Sequence, residues 1–179
     1  MTAQSGGSEA IHFEKERGVT EVNVTRGVAH VTVELPPATL GKERLTLLKL
    51  LAGENIPVFL VKLHPTGISF ALRETFVEAG EALLVTHHIE HTLVTGLALV
   101  AVVAGAMRDL SGVMALIYQA VVGTGILVQQ TGDAYNAVLC LVSGADGDRA
   151  ADALRACFFR QSPEPDHTEP TVIVKRTGL

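Results

Sequence analysis

Arg108, Asp109, Leu110, Ser111 and Gly112 stand between a strongly apolar run, "LALVAVVAGA", and the helix-like "VMALIYQAVV". A strand, a short Asp/Ser/Gly turn and a helix together make a corner that suits an anion. The first four N–H groups of a helix have no partner within it and lie at the positive end of its dipole. A carboxylate or phosphate is stabilised there. Gly112 lets a ligand come close to the backbone, and Asp109 or Ser111 can cap the helix. Gln129, Gln130 and Thr131 follow on the next strand and offer partners for an amino group or a polar side chain. The same turn is also ordinary capping chemistry, and that reading stands beside the first. A matching corner, "PPATLGKER", supplies Thr39, Leu40 and Gly41: Thr39 can cap, Gly41 opens the backbone, and no acid is present.

Other chemistry is thin. "THHIEHT" gathers His87, His88 and His91 around Glu90. Histidines at such spacing can hold a metal on a helix. This stretch, however, lies where a helix hands over to a strand, and no second ligand cluster accompanies it, so an exposed polar segment is expected. His64 sits in a Pro/Gly turn and reads as solvated. Neither a G-x-S-x-G elbow nor a phosphate-binding glycine loop is present. "GADGDRAAD" lacks the full ligand set of a calcium loop, and Asp148 reads as a helix-start residue. Cys140 and Cys157 sit in apolar periodic segments and are expected to be buried free thiols. No catalysis, cofactor or metal is expected.

Composition narrows the class. Hydrophobic residues make up 47% and charged residues 18%, enough for a packed core. A net charge of -5 and only 4% aromatics argue against nucleic acid. The longest apolar run, from Leu97 to Met107, is far short of the ~20 residues that span a bilayer. No basic segment followed by an apolar one opens the chain. A cytoplasmic protein without a membrane role is the expectation.

The elements that must position these residues repeat along the chain. Strands are read at 20–25, at Val28–Leu35, in "VFLVKL" and in "GISFALRE". They are read again in "EHTLVT", "LALVAVVAGA", "GTGILVQQ" and "NAVLCLVSG". Lys42–Ala52 reads as a helix with Leu45, Leu48 and Leu51 or Ala52 on one face. "FVEAGEALLVTHH" reads as a second helix. Val113, Leu116, Ile117, Ala120 and Val121 mark a third stripe, and Ala150, Ala153, Leu154, Cys157 and Phe158 a fourth. "GENI" at 53–56 answers "GTGI" at 123–126, and Gly41 answers Gly112. An offset of about seventy residues marks a duplicated unit. The order suits an α+β fold of two ferredoxin-like (βαββαβ) units, each an antiparallel sheet with two helices on one face. The expected division is a leader at 1–18, units at 19–95 and 96–160, and a tail at 161–179. Strand 20–25 is available to complete the second unit.

The ordered set of motifs resembles a known family. "LALVAVVAGAMRDLSGVMALIYQAVVGTGI" is similar to the second ACT domain of aspartate kinases, whose strand ends Gly-x-x-Met-Arg before Asp-x-Pro-Gly-Val and a helix. "DRAADALRACFF" resembles the helix that closes that domain. "GENIPVFLVKL", "GISFALRE" and "GVTEVNVTRGVAHVTVEL" resemble segments of the first. The resemblance covers roughly residues 18–160. It implies a free-standing regulatory protein, a homodimer, that senses an amino acid or related metabolite at an interface and modulates a partner enzyme of amino-acid metabolism. The family's strand-to-helix loop offers N–H groups to the effector's carboxylate, which corresponds to Arg108–Gly112 and Thr39–Gly41. Three positions depart from its polar lining: Pro57 and Leu127 stand where the pattern has Asn, and Phe59 where it has Asp. Proline has no N–H to donate, and an apolar side chain holds no ammonium group. The alternative is therefore an ACT module that dimerises or scaffolds without a ligand.

Overall fold

The structure, a computed structural model, describes residues 18–105 and 112–159. One six-stranded antiparallel sheet organises them, with four α-helices among the described residues. The strands are β1 (Val19–Glu34), β2 (Phe59–His64), β3 (Gly67–Arg73), β4 (His91–Ala104), β5 (Gln130–Asp133) and β6 (Ala137–Ser143). The helices are α1 (Leu40–Gly53), α2 (Val77–Thr86), α3 (Val113–Val122) and α4 (Gly147–Phe159). The strand order is β2-β3-β1-β4-β6-β5. No described helix is long and apolar enough to cross a membrane.

The two central strands are longer than the sequence predicts. Segments 20–25 and 28–35 are read from sequence as separate strands; they join in β1, a strand of 16 residues. The segments at 90–95 and 97–106 likewise join in β4, which has 14. Each junction holds a glycine in the left-handed region, Gly27 at φ 71° and Gly96 at φ 68°. That conformation is cheap only for glycine, and in a strand it makes a bulge. The β1–β4 register shifts on either side of Val28, opposite Leu97.

The bulges have a consequence for burial. Before Gly27, Val22 and Val24 of β1 face the core under α3 and α4; after it, Ala29, Val31 and Val33 face the core under α1 and α2. Even positions give way to odd ones. In β4, Leu93 serves the α1/α2 core, and Ala98, Val100, Val102 and Ala104 serve the α3/α4 core. Alternation along a regular strand would send the two sets to opposite faces. One extra residue in each strand restores them to the same side while keeping the strands paired. Both bulges are pinned. The Gly96 N–H donates to Glu74 Oε1 at 2.8 Å. Arg26 donates to the Gly144 carbonyl at 3.0 Å and pairs with Asp148 at the start of α4.

The helix stops share one device. Asn55, His88 and Gly125 all have positive φ, and each precedes an isoleucine. Ile56 N–H reaches back to the Leu51 carbonyl, and Ile89 N–H to that of Leu84, both at 2.9 Å. This is the left-handed helix cap with its apolar follower, and it explains the recurring "GENI", "HHI" and "GTGI". The helix faces differ from expectation at particular residues. Leu47 and Leu51 are the buried pair of α1, and Leu45 and Ala52 are exposed. Val113, Ile117 and Val121 are buried on α3, and Leu116 is 47% exposed. In α4 the buried set is Gly147, Ala150, Ala151 and Leu154, so small residues let that helix lie close to the sheet. Cys140 is buried and its thiol is pushed up to about 11 by desolvation. Cys157 is half-buried and free.

One glycine tests the hairpin between β2 and β3. A Cβ on Gly67 would overlap the backbone carbonyl of Val33. Backbone cannot swing aside as a flexible side chain can. Gly67→Ala is expected to lower stability by about 1–3 kcal/mol, as overpacking does. Urea unfolding should show a lower midpoint with an unchanged slope.

Candidate functional site

The two edge strands of the sheet meet. Laid flat, six strands at about 4.8 Å spacing would hold β2 and β5 about 24 Å apart. Instead Gln130 of β5 donates from Nε2 to the Leu60 carbonyl of β2 at 2.6 Å. A Cβ on Gly132 would collide with the Leu60 side chain. The sheet must therefore curl, with its helix-free face inside. That inner face is lined by Val28, Ala71, Leu97 and Leu141, with Phe59, Leu60 and Leu99 packed against them.

Within this curl lies a polar network. Gln130, 8% exposed, and Ser69, 1% exposed, are the buried polar residues among the described ones. Leu60 O accepts only, so Gln130 must present its amide nitrogen there and its oxygen to the other side. That oxygen accepts from Ser69 Oγ at 3.1 Å and is 2.8 Å from His30 Nε2. His30 therefore carries a hydrogen on Nε2. Ser69, having spent its hydrogen on Gln130, accepts from His64 Nε2, 2.8 Å away. The chain runs His64 to Ser69 to Gln130, with His30 entering at the same oxygen. Among the described residues no buried side-chain N or O lacks a partner. His30 is held below its ordinary pKa, first by desolvation and then by repulsion from His64 and Lys62, against the raising effect of the Gln130 bond. Leu60 itself has φ 49°, a strained setting for a side-chain-bearing residue. It stands where the β2–β3 register shifts, between Phe59 and Lys62.

A cleft of about 860 Å³ opens beside this seam. Leu60 and Lys62 of β2, Val113 and Met114 of α3, and Thr131 and Asp133 of β5 line it. The volume suits a small metabolite. Lys62 and Asp133 supply opposite charges at its wall, both exposed to solvent. The start of α3 adds unpaired N–H groups. A zwitterion finds complementary groups here: a carboxylate towards Lys62 and the helix start, an ammonium towards Asp133. A second cleft of about 420 Å³ runs along the other side of Gln130, past His30, His64, Thr66 and Gln129.

Arg108, Asp109, Leu110 and Ser111 lie outside the described residues. Gly112 has φ 77° and accepts the first helical bond of α3, from Leu116 N–H at 3.1 Å. Thr131 lines the larger cleft. Gln130 lines both clefts, but its polar atoms bond within the protein, and Gln129 lines the smaller one. Thr39 makes no side-chain cap bond; it and Gly41 are exposed, Leu40 is half-buried, and none of the three lines either cleft. His64, read from sequence as solvated, is instead half-buried and bonded to Ser69. His88 serves as a helix cap, His91 Nδ1 bonds the Ile89 carbonyl at 2.9 Å, and the described residues hold no metal-binding cluster. Sequence reasoning missed His30, Ser69, Lys62 and Asp133. The signal for His30 was present: in "VAHVTVEL" it alternates with the core valines and so must face the other side of the strand.

No family model matches the chain, and no curated protein matches it significantly. Solved structures do. The regulatory subunit of aspartate kinase from Thermus thermophilus, ligand-free, matches with a TM-score of 0.71 and 20% identity. The match covers 79% of this chain and 99% of that one. The fold resembles that of an aspartokinase regulatory subunit. A chain from the crystal structure of aspartokinase alpha and beta subunits matches with TM-score 0.72 and 21% identity, covering 78% and 97%. E. coli aspartokinase III in complex with lysine and aspartate, its T-state, matches with TM-score 0.67 and 17% identity. There the match covers 82% of this chain and 34% of that one. The regulatory-subunit fold thus accounts for about four fifths of the chain.

Gln130→Leu keeps the bulk of the side chain but leaves the Leu60 carbonyl, the Ser69 hydroxyl and the His30 N–H without partners. A loss of about 1–3 kcal/mol is expected in urea unfolding at neutral pH. A loss near zero would mean that water replaces the network at no cost.

Proposed function

We propose that this protein is a tandem ACT regulatory protein. It is built of two ferredoxin-like βαββαβ units, near 19–95 and 96–160. It binds a small amino acid or related metabolite and modulates a partner enzyme, as a homodimer in the cytoplasm, without catalysis of its own. The strand order supports the two units. Residues 28–34 of β1 with β2, β3 and the start of β4 follow one pairing order, and the rest of β4 with β5, β6 and residues 19–26 of β1 repeats it. In this reading the first unit lends the second its closing strand, residues 19–26 of β1.

The observation that carries the ligand is the cleft beside α3, with Lys62 and Asp133 in its wall. The likeness to an aspartokinase structure containing lysine and aspartate supports an amino acid as its occupant. In this proposal Arg108–Gly112 approach the carboxylate from the start of α3. A ligand acts on a partner only by binding two conformations unequally.

One observation favours a second reading, dimerisation without a ligand. Phe59 is packed into the inner apolar cluster, and Leu127 is 72% exposed, so neither supplies the polar lining of the family pattern.

A thermal-shift screen of the twenty amino acids separates the two. A ligand at a hundred times its dissociation constant adds about 2.7 kcal/mol. For a chain of this size that raises Tm by roughly 5–11 °C, at roughly 2–4 °C per kcal/mol. Lys62→Ala and Asp133→Ala should weaken the effective ligand about tenfold or more while leaving the unliganded Tm unchanged, because both side chains are exposed. No shift with any amino acid at millimolar concentration would sink the amino-acid reading in favour of the second.

A further inference from the structure

We propose that the cleft beside α3 selects amino acids with long apolar side chains over those whose side chains carry charge, and that Met114 sets this preference. The selectivity rests on the reading of Lys62 and Asp133 as partners of a zwitterion, and it concerns what the rest of the ligand touches. Among the described lining residues the charged ones are Lys62 and Asp133. A carboxylate at the first and an ammonium at the second use up both. The side-chain polar atoms of Gln130 are spent on Leu60, Ser69 and His30. The ligand's side chain therefore meets the hydroxyls of Thr131 and Tyr135 and an otherwise apolar set of side chains.

That apolar lining has a firm part and an unfilled part. Val138 lies across the ladder from Asp133, so an ammonium held by Asp133 has an apolar neighbour at once. Val113 and Val138 are buried in the α3/α4 core and keep their places whether or not a ligand is present. Met114, the next residue of α3, is 44% exposed, and Val61 of β2 is 43% exposed. Apolar side chains scattered singly on a surface need no explanation. These two come from different halves of the chain and line one concavity. A ligand side chain lying there takes their surface and its own out of water. Each methylene fully covered tightens binding by up to roughly fourfold. A terminal charge in the same place loses hydration and gains no opposite charge. Either ammonium of lysine can take Asp133, but not both.

Calorimetric titration of the full chain with a homologous series tests this. Alanine, 2-aminobutyrate, norvaline and norleucine share one zwitterion and differ only in side-chain length. Affinity should rise along the series by roughly two- to fourfold per methylene. Norleucine matches lysine in shape apart from the terminal ammonium, and norvaline matches glutamate apart from the carboxylate. Each apolar member should bind about tenfold or more tighter than its charged counterpart. Met114→Ala should flatten the series, weakening norleucine more than alanine. Met114→Glu places a carboxylate on the apolar side and should reverse the order of norleucine and lysine. Lys62→Ala and Asp133→Ala should instead weaken every member by the same factor.

Affinity independent of side-chain length overturns the proposal, as does lysine or glutamate binding as tightly as its apolar counterpart. So does a Met114→Ala variant that weakens alanine and norleucine equally. In each of these cases the zwitterion reading stands, since binding persists and still depends on Lys62 and Asp133. Binding by no member at millimolar concentration removes that reading, and this selectivity with it. Should Met114→Glu fail to fold, the series in the unaltered chain and in Met114→Ala decides, because an exposed side chain can be shortened without leaving a cavity.

Discussion

A strand shows alternate residues to opposite faces, so a strand that serves two helix layers on one side of a sheet must break its alternation. β1 and β4 both do this, at Gly27 and Gly96, and the rest of the architecture depends on it. A bulge in only one strand would shift its register against the other and turn the wrong residues inward. Paired bulges cancel in the register and switch the facing of both strands together. Glu74 and Arg26 then tie a turn from each half of the chain to the bulged region. The two cores are thereby joined through continuous backbone and not merely placed side by side.

Placing all the helix-packed residues on one side leaves the opposite side uncovered. The molecule deals with that surface by curling it on itself. Apolar residues fill part of the interior, and the His30, Ser69, Gln130 and His64 chain fills the rest. A polar network costs little when complete and much when one partner is missing. The strain at Leu60 belongs to the same solution, since a left-handed residue accompanies the break in the β2–β3 ladder at the carbonyl that Gln130 reaches.

Much of this was legible in the sequence, and what was not has physical reasons. The helix stops are local patterns, and "GENI" and "GTGI" do mark helix ends of one geometry. The α4 stripe was legible because its small and apolar residues occupy one side only. In α1, leucines at 45, 47, 48, 50 and 51 fit more than one stripe, and tertiary packing chose Leu47 and Leu51. Gly27 and Gly96 look like strand breakers because glycine usually is one; that each continues a strand depends on the other, 69 residues away. The bond from Gln130 to Leu60 has no local signature at all. It pairs residues 70 apart through a sheet whose curl no periodicity encodes.

The site follows from the same closure. Neither β2 nor the start of α3 encloses space alone. The larger cleft exists because β5 is brought against β2, so its walls come from both halves of the chain. Lys62 and Asp133 reach it from edge strands that share no ladder. Any ligand bridging the two charges would add its own binding energy to closing the seam. Conversely, a seam that loosened would pull the two charges apart and weaken the ligand by the same free energy, because such coupling is reciprocal. Gln130 lines both clefts while its polar atoms stay bonded within the protein, so it forms the wall between them.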